Sequence, residues 1–256
     1  MPVAVKPHAT SIERAFSILE MLDGTRRGWN ISEISRKQKI PKSSAHVIVL
    51  ALERMGYLKR ENGSRRYRLG LKICSLGRGL MNDLALPEIA LPHMRWLVEQ
   101  TRLTAHLGVL EKGHIVFIQK IDGPGMVKFD TYVGKRAEVH CTGLGKALLA
   151  FSNEQIIRDC LSVGSFAKYT DVTITSPVSF RKELMKVKQR GYSIDDEEEE
   201  VGVRCVAAPV FNPLGELVTA VSVTGTTAQI SSDSFERLAA TVKEGAARIS
   251  RALKEL

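Results

Sequence analysis

The segment formed by residues 30–69 constrains the fold more than any other part of this chain. Its first part predicts two short helices joined by a tight turn, with Ile31 and Ile34 on the inner face of the first helix. Pro41 fits the first turn of the second helix, because a missing backbone N–H costs little at that position. That helix would end before Gly56. A polar, cation-bordered helix backed by an apolar one is suited to lie against a charged groove.

A further helix and a hairpin complete this pattern. Residues 11–22 carry apolar side chains at a helical period, and residues 25–30 are expected to form a turn. Behind the helix pair, two alternating runs at 57–60 and 65–69 flank an Asn-Gly dipeptide, which is typical of β-hairpins. Three helices followed by a hairpin predict a winged helix-turn-helix, whose third helix enters the major groove of DNA.

Positive charge is concentrated at the start of the chain. Residues 1–80 hold 16 Lys/Arg and 6 Asp/Glu, a net charge of +10, whereas residues 81–256 hold 21 and 22, a net charge of −1. This asymmetry indicates one region for a polyanion and a nearly neutral region with another task. A small helical bundle with a solvated basic surface would carry the same charge. The basic hairpin beside the helices favours duplex DNA as the partner.

The third predicted helix offers hydroxyl groups and a lysine near its N-terminus, and such groups can reach both base edges and phosphates. Arginines on the hairpin suit the phosphates beside the groove. The candidate DNA-binding residues are Lys42, Ser43, Ser44, His46, Arg65, Arg66 and Arg68. Apolar side chains of the same helix are expected to pack against the two preceding helices, and these are Ile48, Leu50, Leu52 and Met55.

The remainder of the chain mixes predicted helices and strands. The helical segments are 70–86, a helix after Pro87, 143–151, 179–190 and 232–255, and the strand-like runs are 104–110, 114–121, 127–132, 202–210 and 217–224. Because helices do not strictly alternate with strands, an α+β fold with an antiparallel sheet is favoured over a doubly wound fold. The predicted domains are a DNA-binding domain at 1–70, a linker helix at 71–86 and an effector domain at 87–256.

Several motifs carry a resemblance to a known family. They are SIERAFSILEML (11–22), ISEISRKQKIPKSSAHVIVLALERMGYL (31–58), RYRLG (66–70), VHCTGLGKALLA (139–150), RGYSIDDEEEEVGVRCVAAPVFN (190–212) and AVSVTG (220–225). The chain therefore resembles the IclR family of bacterial transcriptional regulators over nearly its whole length. The signature of that family is filled here by Gly191, Asp195, Glu198, Cys205 and Asn212.

The resemblance implies an N-terminal winged helix-turn-helix, a linker helix and a GAF-like effector domain built on an antiparallel sheet. It also implies homodimers, often paired into homotetramers, that bind palindromic operators in double-stranded DNA. The family often has an arginine where this chain has Val47, so one base or phosphate contact would be missing. Either the operator differs, or the arginines of the wing carry more of the affinity.

The C-terminal motifs also predict a cavity for a small effector, most plausibly a carboxylate. Ser222 and Thr224 share one face of a strand, and the helix that starts near Gly143 leaves backbone N–H groups able to hold an anion. The effector-binding residues that the resemblance implies are Met126, Gly143, Leu144, Asp195, Val203, Cys205, Ser222 and Thr224. Alternatively, Ser222 and Thr224 bond within the sheet or to water, and Cys205 is a core residue. Effector binding would change the separation of two DNA-binding heads, a movement that Gly77 and Gly79 would permit.

We expect no catalytic activity and no cofactor. The GLGK run lacks the glycine and the hydroxyl residue that a phosphate loop requires. The remaining alternative is a metal-dependent sensor or enzyme that uses His140, Cys141 and Cys205, with His106 as a further ligand, although their spacing matches no local metal motif. A Cys–His nucleophile pair would lack a third, orienting group.

The expected location is the cytoplasm, with no membrane partner. The N-terminal sequence MPVAVKPHAT lacks the apolar core of a signal peptide, and no apolar run approaches the ~18 residues of a membrane span. The four cysteines are scattered without CxxC spacing, so they indicate no disulfide framework. The acidic run 195–200 is expected to be a solvated loop apart from Asp195.

Overall fold

The computed structural model describes residues 10–23, 27–61, 63–83, 85–163 and 165–253. Contacts between residues divide the chain into two units, 1–84 and 85–256. This division assigns most of the segment predicted as a linker helix to the first unit.

The first unit consists of four helices and a small sheet. Its elements are α1 (Ser11–Leu22), β1 (Trp29–Asn30), α2 (Ile31–Gln38), α3 (Lys42–Arg54), β2 (Leu58–Arg60), β3 (Arg66–Leu69) and α4 (Lys72–Asp83). The strands form an antiparallel sheet in the order β1-β3-β2. The turn predicted at residues 25–30 is wrong at its end, because Trp29 and Asn30 pair with Tyr67 and Arg66 of the hairpin.

The core of the first unit lies among α1, α2 and α3. Ile18, Ile34 and Val49, one from each helix, are fully buried. Leu50 and Met55, which were expected to pack inward, are 42% and 59% exposed. The helical period that buries Val49 turns these two side chains outward.

A buried pair of hydrogen bonds joins α1 to α2. The Ser17 hydroxyl donates to Gln38 Oε1 at 2.9 Å, and Gln38 Nε2 donates to the Ser17 carbonyl at 3.0 Å. Both side chains are buried, so their polar atoms are satisfied by each other rather than by water. These hydrogen bonds fix the orientation of α2, which directly precedes α3 in the chain.

The second unit is built on a six-stranded antiparallel sheet. Its elements are α5 (Ala85–Thr101), β4 (Thr104–Glu111), β5 (His114–Ile121), β6 (Arg136–Glu138), α6 (Gly143–Ala150), α7 (Glu154–Val163), α8 (Pro177–Arg190), β7 (Ser193–Asp196), β8 (Val203–Phe211), β9 (Leu217–Thr226) and α9 (Phe235–Ala252). The strand order is β6-β5-β4-β9-β8-β7. The predicted α+β class with an antiparallel sheet is confirmed.

Alternate residues of the central strands face opposite sides of the sheet and belong to two separate hydrophobic cores. Val221 and Val223 of β9 belong to a core shared with α5 and α9, in which Met94 is fully buried. Ala220 of the same strand belongs to a second core with α6 and α8, in which Phe180 is fully buried. Because side chains alternate along a strand, the residues that follow Ala220 on its own face also point towards α6.

Several elements of the second unit differ from prediction. Residues 127–132 form no strand, and the carbonyls of Phe129 and Thr131 accept hydrogen bonds from the Lys120 ammonium. The strand β6 takes the place beside β5. The helix α7 and the strand β7 carry many charged residues and were not predicted.

Candidate DNA-binding surface and ligand cavity

A groove of about 710 Å³ on the first unit is bordered by α3, the start of α2 and the hairpin. Its lining residues are Asn30, Ile31, Ser32, Lys42, Ser43, His46, Arg60, Arg65 and Tyr67. Four of the seven candidate DNA-binding residues therefore border one surface, and these are Lys42, Ser43, His46 and Arg65. Arg60 and Ser32 are further members of this border that the sequence analysis did not single out.

The N-terminus of α3 presents backbone N–H groups beside this groove. Pro41 is the N-cap residue, and no side chain of the described residues caps this end of the helix. A helix N-terminus with unpaired N–H groups attracts phosphate. Ser44 is half-buried and lies outside the groove lining, whereas Val47 is 67% exposed beside His46.

The three arginines of the hairpin have different surroundings. Arg66 donates to the Gly28 carbonyl at 2.9 Å and contacts the Glu33 carboxylate at 3.1 Å. Arg68 forms an ion pair with Glu61. Within the ranges that the structure describes, Arg65 forms neither an ion pair nor a hydrogen bond through its side chain. Of the three, Arg65 is the one whose guanidinium is free to bind a phosphate.

Glu33 fastens the hairpin to α2. Its carboxylate accepts the backbone N–H of Asn30 at 3.0 Å, and the Asn30 side chain accepts the N–H of Glu33 at 2.9 Å, which closes a capping box. The hydrogen bond from Asn30, together with Arg66 and Arg27, lowers the pKa of Glu33 below its usual range. Arg66 therefore stabilises the unit internally, a role hidden from local sequence patterns because Glu33 is distant along the chain.

Two adjacent rows of side chains across the large sheet form the floor of a cavity in the second unit. Asp195, Cys205 and Thr224 are register partners across β7, β8 and β9. His106 is the register partner of Ser222 across β4 and β9. All five residues line a cavity of about 320 Å³.

The remaining lining comes from α6 and its N-cap, from the segment before β6, from the acidic run and from the strands β5 and β8. It consists of Phe117, Phe129, Asp130, Thr131, Lys135, Thr142, Gly143, Leu144, Glu199, Glu200 and Val203. Seven of the eight effector-binding residues implied by the family resemblance thus lie around one cavity. Met126 does not, because its side chain is 99% exposed and follows a turn at Gly125, whose φ is +110°.

The N-terminus of α6 points backbone donors at this cavity. Thr142 Oγ1 accepts the N–H of Gly145 at 3.1 Å, whereas the N–H groups of Gly143 and Leu144 have no partner among the described residues. A Cβ atom on Gly143 would stand 2.8 Å from Cys205 Sγ. Glycine therefore lets the start of the helix approach the sheet closely enough to share one cavity with it.

Burial controls the protonation of Asp195 and His106 on the floor. It raises the pKa of Asp195 to about 7, although Lys146 opposes this effect. Asp195 Oδ1 accepts the N–H of Glu198 at 2.8 Å. Burial, followed by the charge of Lys120, lowers the pKa of His106 to about 3. The imidazole is therefore neutral near pH 7, and the Asp195 carboxyl is partly protonated.

Ser222 offers an unsatisfied hydroxyl to the cavity. Its side chain is 1% exposed, and its Oγ has no hydrogen-bond partner among the described residues. An unpaired buried hydroxyl costs free energy that a bound ligand can recover. Thr224 differs, because its hydroxyl lies 3.3 Å from His106 Nδ1.

The acidic run is the expected solvated loop only in part, since Asp196, Glu199 and Glu200 are exposed but other members are not. Asp195 and Asp196 belong to β7, and the Glu198 side chain is only 12% exposed. Glu198 forms an ion pair with Lys146 of α6, whose side chain is fully buried. The charges pair across the molecule because α6 and β7 are neighbours in space.

The predicted metal alternative receives no support from the described residues. His140 Nε2 bonds to the Ala167 carbonyl at 3.0 Å. Burial raises the pKa of the Cys141 thiol and raises the pKa of Cys205 to about 12, whereas metals bind the thiolate. Within the described ranges, no group of three or more His, Cys, Asp or Glu side chains is placed to hold a metal ion.

Some lining residues could not be found from the sequence. His106, Thr131 and Lys135 belong to no motif, and only the sheet register and the path of residues 122–135 bring them to the cavity. Thr142 carried a usable signal, since a threonine directly before a helix start is a typical N-cap. No helix among the described residues is long and apolar enough to cross a membrane.

Comparisons with known proteins match two domains along the chain. Residues 11–62 match the IclR helix-turn-helix domain, and residues 79–251 match the C-terminal domain of bacterial transcriptional regulators of the IclR type. The transcriptional regulator KdgR of Dickeya chrysanthemi is 34% identical over 241 residues, which cover 94% of this chain and 79% of that protein. The repressor IclR of Escherichia coli is 25% identical over 94% of this chain and 89% of its own length.

Solved structures show the same architecture. The IclR protein of Thermotoga maritima matches with a TM-score of 0.77 and 30% identity, covering 95% of this chain and 98% of that one. An IclR homologue from Microbacterium hydrocarbonoxydans, complexed with 4-hydroxybenzoate, matches with a TM-score of 0.83 and 25% identity, covering 96% and 100%.

A helix-turn-helix domain joined to a C-terminal ligand-binding domain defines the class as a transcriptional regulator. The chain belongs to the IclR family of bacterial transcriptional regulators. The resemblance seen in its sequence motifs is thereby confirmed.

Proposed function

We propose that this regulator binds a small organic acid in the cavity of its second unit and that this binding controls its affinity for a palindromic operator. The observation that carries the proposal is the meeting of three unpaired donors in one cavity, namely the N–H groups of Gly143 and Leu144 and the hydroxyl of Ser222. Unpaired donors at the positive end of a helix bind a carboxylate well. The 4-hydroxybenzoate bound to the Microbacterium homologue is itself a carboxylate.

Operator binding would use the groove of the first unit. Lys42, Ser43 and His46 would enter the major groove, and Arg65 would bind a backbone phosphate beside it. The protein would act as a homodimer or homotetramer in the cytoplasm, and two linked heads would multiply a weak single-head affinity. The ligand must bind two arrangements of the oligomer with different affinity, since otherwise no population shifts. Catalysis forms no part of the proposal.

A thermal-shift screen tests the effector class. We expect a member of a panel of small mono- and dicarboxylates, including 4-hydroxybenzoate, to raise the melting temperature, whereas its amide does not. At about 100 times the Kd, binding adds about 2.7 kcal/mol to the free energy of unfolding. Ser222→Ala should remove the shift, and Ser162→Ala, a change on the exposed face of α7, should preserve it. Equal shifts from acids and amides, or an undiminished shift in Ser222→Ala, would reject the carboxylate site.

The salt dependence of DNA binding tests the wing. Arg65→Ala should reduce the slope of log K against log salt by about 1, because each phosphate contact contributes about 0.9 to the slope on duplex DNA. Arg66→Ala should change the slope less and should instead lower the thermal stability of the first unit, since Arg66 is held by Glu33 and Gly28. The assignment of Arg65 fails if the Arg65→Ala slope equals that of the unaltered protein in filter-binding titrations.

A further inference from the structure

One wall of the ligand cavity is a segment without regular secondary structure that hydrogen bonds hold against the large sheet. Residues 122–135 run from the end of β5 to the start of β6, and Phe129, Asp130, Thr131 and Lys135 line the cavity. The two ends of this segment are fastened by main-chain groups. The Gly123 N–H donates to Thr104 Oγ1 at 3.0 Å, and the Gly134 N–H donates to the Phe117 carbonyl at 2.7 Å.

The main-chain carbonyls in the middle of the segment bond to a lysine of the sheet. Lys120 of β5 donates from Nζ to the carbonyls of Phe129 and Thr131, each at 2.9 Å. The same ammonium lies 3.1 Å from Asp122 Oδ1, and the side chain is 16% exposed. An ammonium has three donors, so these three acceptors use its full capacity.

Thr131 continues the attachment into the cavity floor. Its hydroxyl lies 2.8 Å from His106 Nε2, and His106 Nδ1 lies 3.3 Å from the hydroxyl of Thr224. Lys120 is the register partner of His106, so both side chains project from the same face of the sheet. Lys120, Thr131, His106 and Thr224 therefore form one continuous chain of polar contacts from the wall to the floor.

The floor is closely covered while this chain is intact. Ser222, Asp195 and Cys205 are 1%, 2% and 6% exposed. The wall is one of the elements that border the cavity through which an organic acid would reach the Ser222 hydroxyl, together with α6 and the acidic run.

We infer that Lys120 is a positioning residue that holds residues 129–131 against the sheet and thereby sets how often the ligand cavity opens. The inference rests on the proposed function only in taking this cavity as the ligand site. The energetic reason is that two charge-assisted hydrogen bonds favour the closed wall and are lost when it lifts. The contact with Asp122 keeps the Lys120 ammonium beside the sheet when the wall opens. The carbonyls of Phe129 and Thr131 can therefore bond to the same ammonium when the wall closes.

Cys205 reports on this opening without any ligand. Its thiol lies on the cavity floor, whereas Cys74 is exposed on the first unit, and Cys141 and Cys160 are buried outside the cavity lining. The labelling rate of each cysteine by N-ethylmaleimide can be followed by peptide mass spectrometry on the full-length, folded protein. Cys74 serves as the reference for reagent activity, and Cys141 and Cys160 report on general unfolding.

Lys120→Met should raise the labelling rate of Cys205 by about ten- to a hundredfold, the factor expected when two charge-assisted bonds leave the closed state. Cys141 and Cys160 should keep their rates. Thr131→Val, which removes only the hydroxyl contact to His106, should give a smaller increase. Lys128→Met is the matched control, because Lys128 donates to the Gly123 carbonyl at the end of the segment and not to residues 129–131.

Two results would overturn the inference. One is an unchanged Cys205 rate in both Lys120→Met and Thr131→Val while Cys74 reacts normally. The other is a rise of Cys205 that Cys141 and Cys160 share, which would show general loosening and not movement of the wall. Neither result bears on the carboxylate panel, so the failure of this inference and the failure of the proposed function are distinguishable.

Discussion

Replacement of Lys146 by methionine is expected to lower the free energy of unfolding of the second unit by about 3–5 kcal/mol. Lys146 is fully buried on α6 and pairs with Glu198, whose side chain is 12% exposed. Removing one partner of a buried ion pair leaves the other charge without compensation. The Glu198 Oε2 atom already has no hydrogen-bond partner among the described residues, so it cannot draw on a second donor there.

The loss should also depend on pH. Burial raises the pKa of Glu198, and Lys146 opposes this effect. Without Lys146 the pKa of Glu198 rises further, so the folded state must keep a proton that the unfolded state has released. When the pKa of a carboxyl is raised in the folded state, the free energy of unfolding falls as the pH rises. The loss of unfolding free energy in Lys146→Met should therefore be larger at pH 8 than at pH 6, by at most about 1.4 kcal/mol per pH unit.

Urea unfolding measures both effects. In a Trp29→Phe background, the fluorescence of Trp96 on α5 reports on the second unit. Lys146→Met combined with Glu198→Gln should recover part of the loss and most of the added pH dependence. Lys182→Met on the exposed face of α8 is the matched control. A loss in Lys146→Met no larger than in Lys182→Met would show that the buried pair contributes nothing.

Replacement of Lys42 by alanine is expected to weaken operator binding by about 1–3 kcal/mol, which is the usual discrimination from one good base contact. Lys42 is exposed at the first position of α3 and lines the same groove as Arg65. A base contact affects specific binding far more than non-specific binding. The ratio of the affinities for operator and scrambled DNA should therefore fall together with the operator affinity.

Ser44→Ala is the matched control on the same helix. Ser44 is half-buried and lies outside the groove lining, so its removal should change operator affinity less than that of Lys42. Fluorescence anisotropy with a fragment from beside the gene of this protein measures both variants. If Lys42→Ala lowers the affinities for operator and scrambled DNA by the same factor, Lys42 binds phosphate and does not read bases.

The parts of the fold that the sequence could predict are those set by local rules. The hairpin of β2 and β3, the helix that stops at Gly56 and the alternation of Ser222 and Thr224 depend on neighbours along the chain. Asn62 of the predicted Asn-Gly turn lies outside the described residues. The strand-like composition of residues 127–132 was misleading, because β6 and not this segment pairs with β5. The carbonyls of Phe129 and Thr131 bond instead to Lys120, a side chain outside the segment, and no local pattern contains that information.

The site residues divide in the same way. Gly143, Asp195 and Ser222 belong to family motifs and could be named from the sequence. His106 and Thr131 are brought to the cavity by strand register and by the path of the wall, so the sequence predicted neither as an effector-binding residue. Arg66 is predicted to bind DNA from its position on a basic hairpin, and its contact with Glu33 is one that the sequence did not indicate.

The different side chains on the two faces of the large sheet make the ligand preference of this protein easy to alter. The apolar layer of α5, α9, Val221 and Val223 lies on the opposite face from His106, Ser222 and Thr224. Side chains on the ligand face can therefore be exchanged without opening voids in that layer. Selection can retarget such a scaffold to a new metabolite by a few changes on one face, while the core on the opposite face keeps its share of the folding energy.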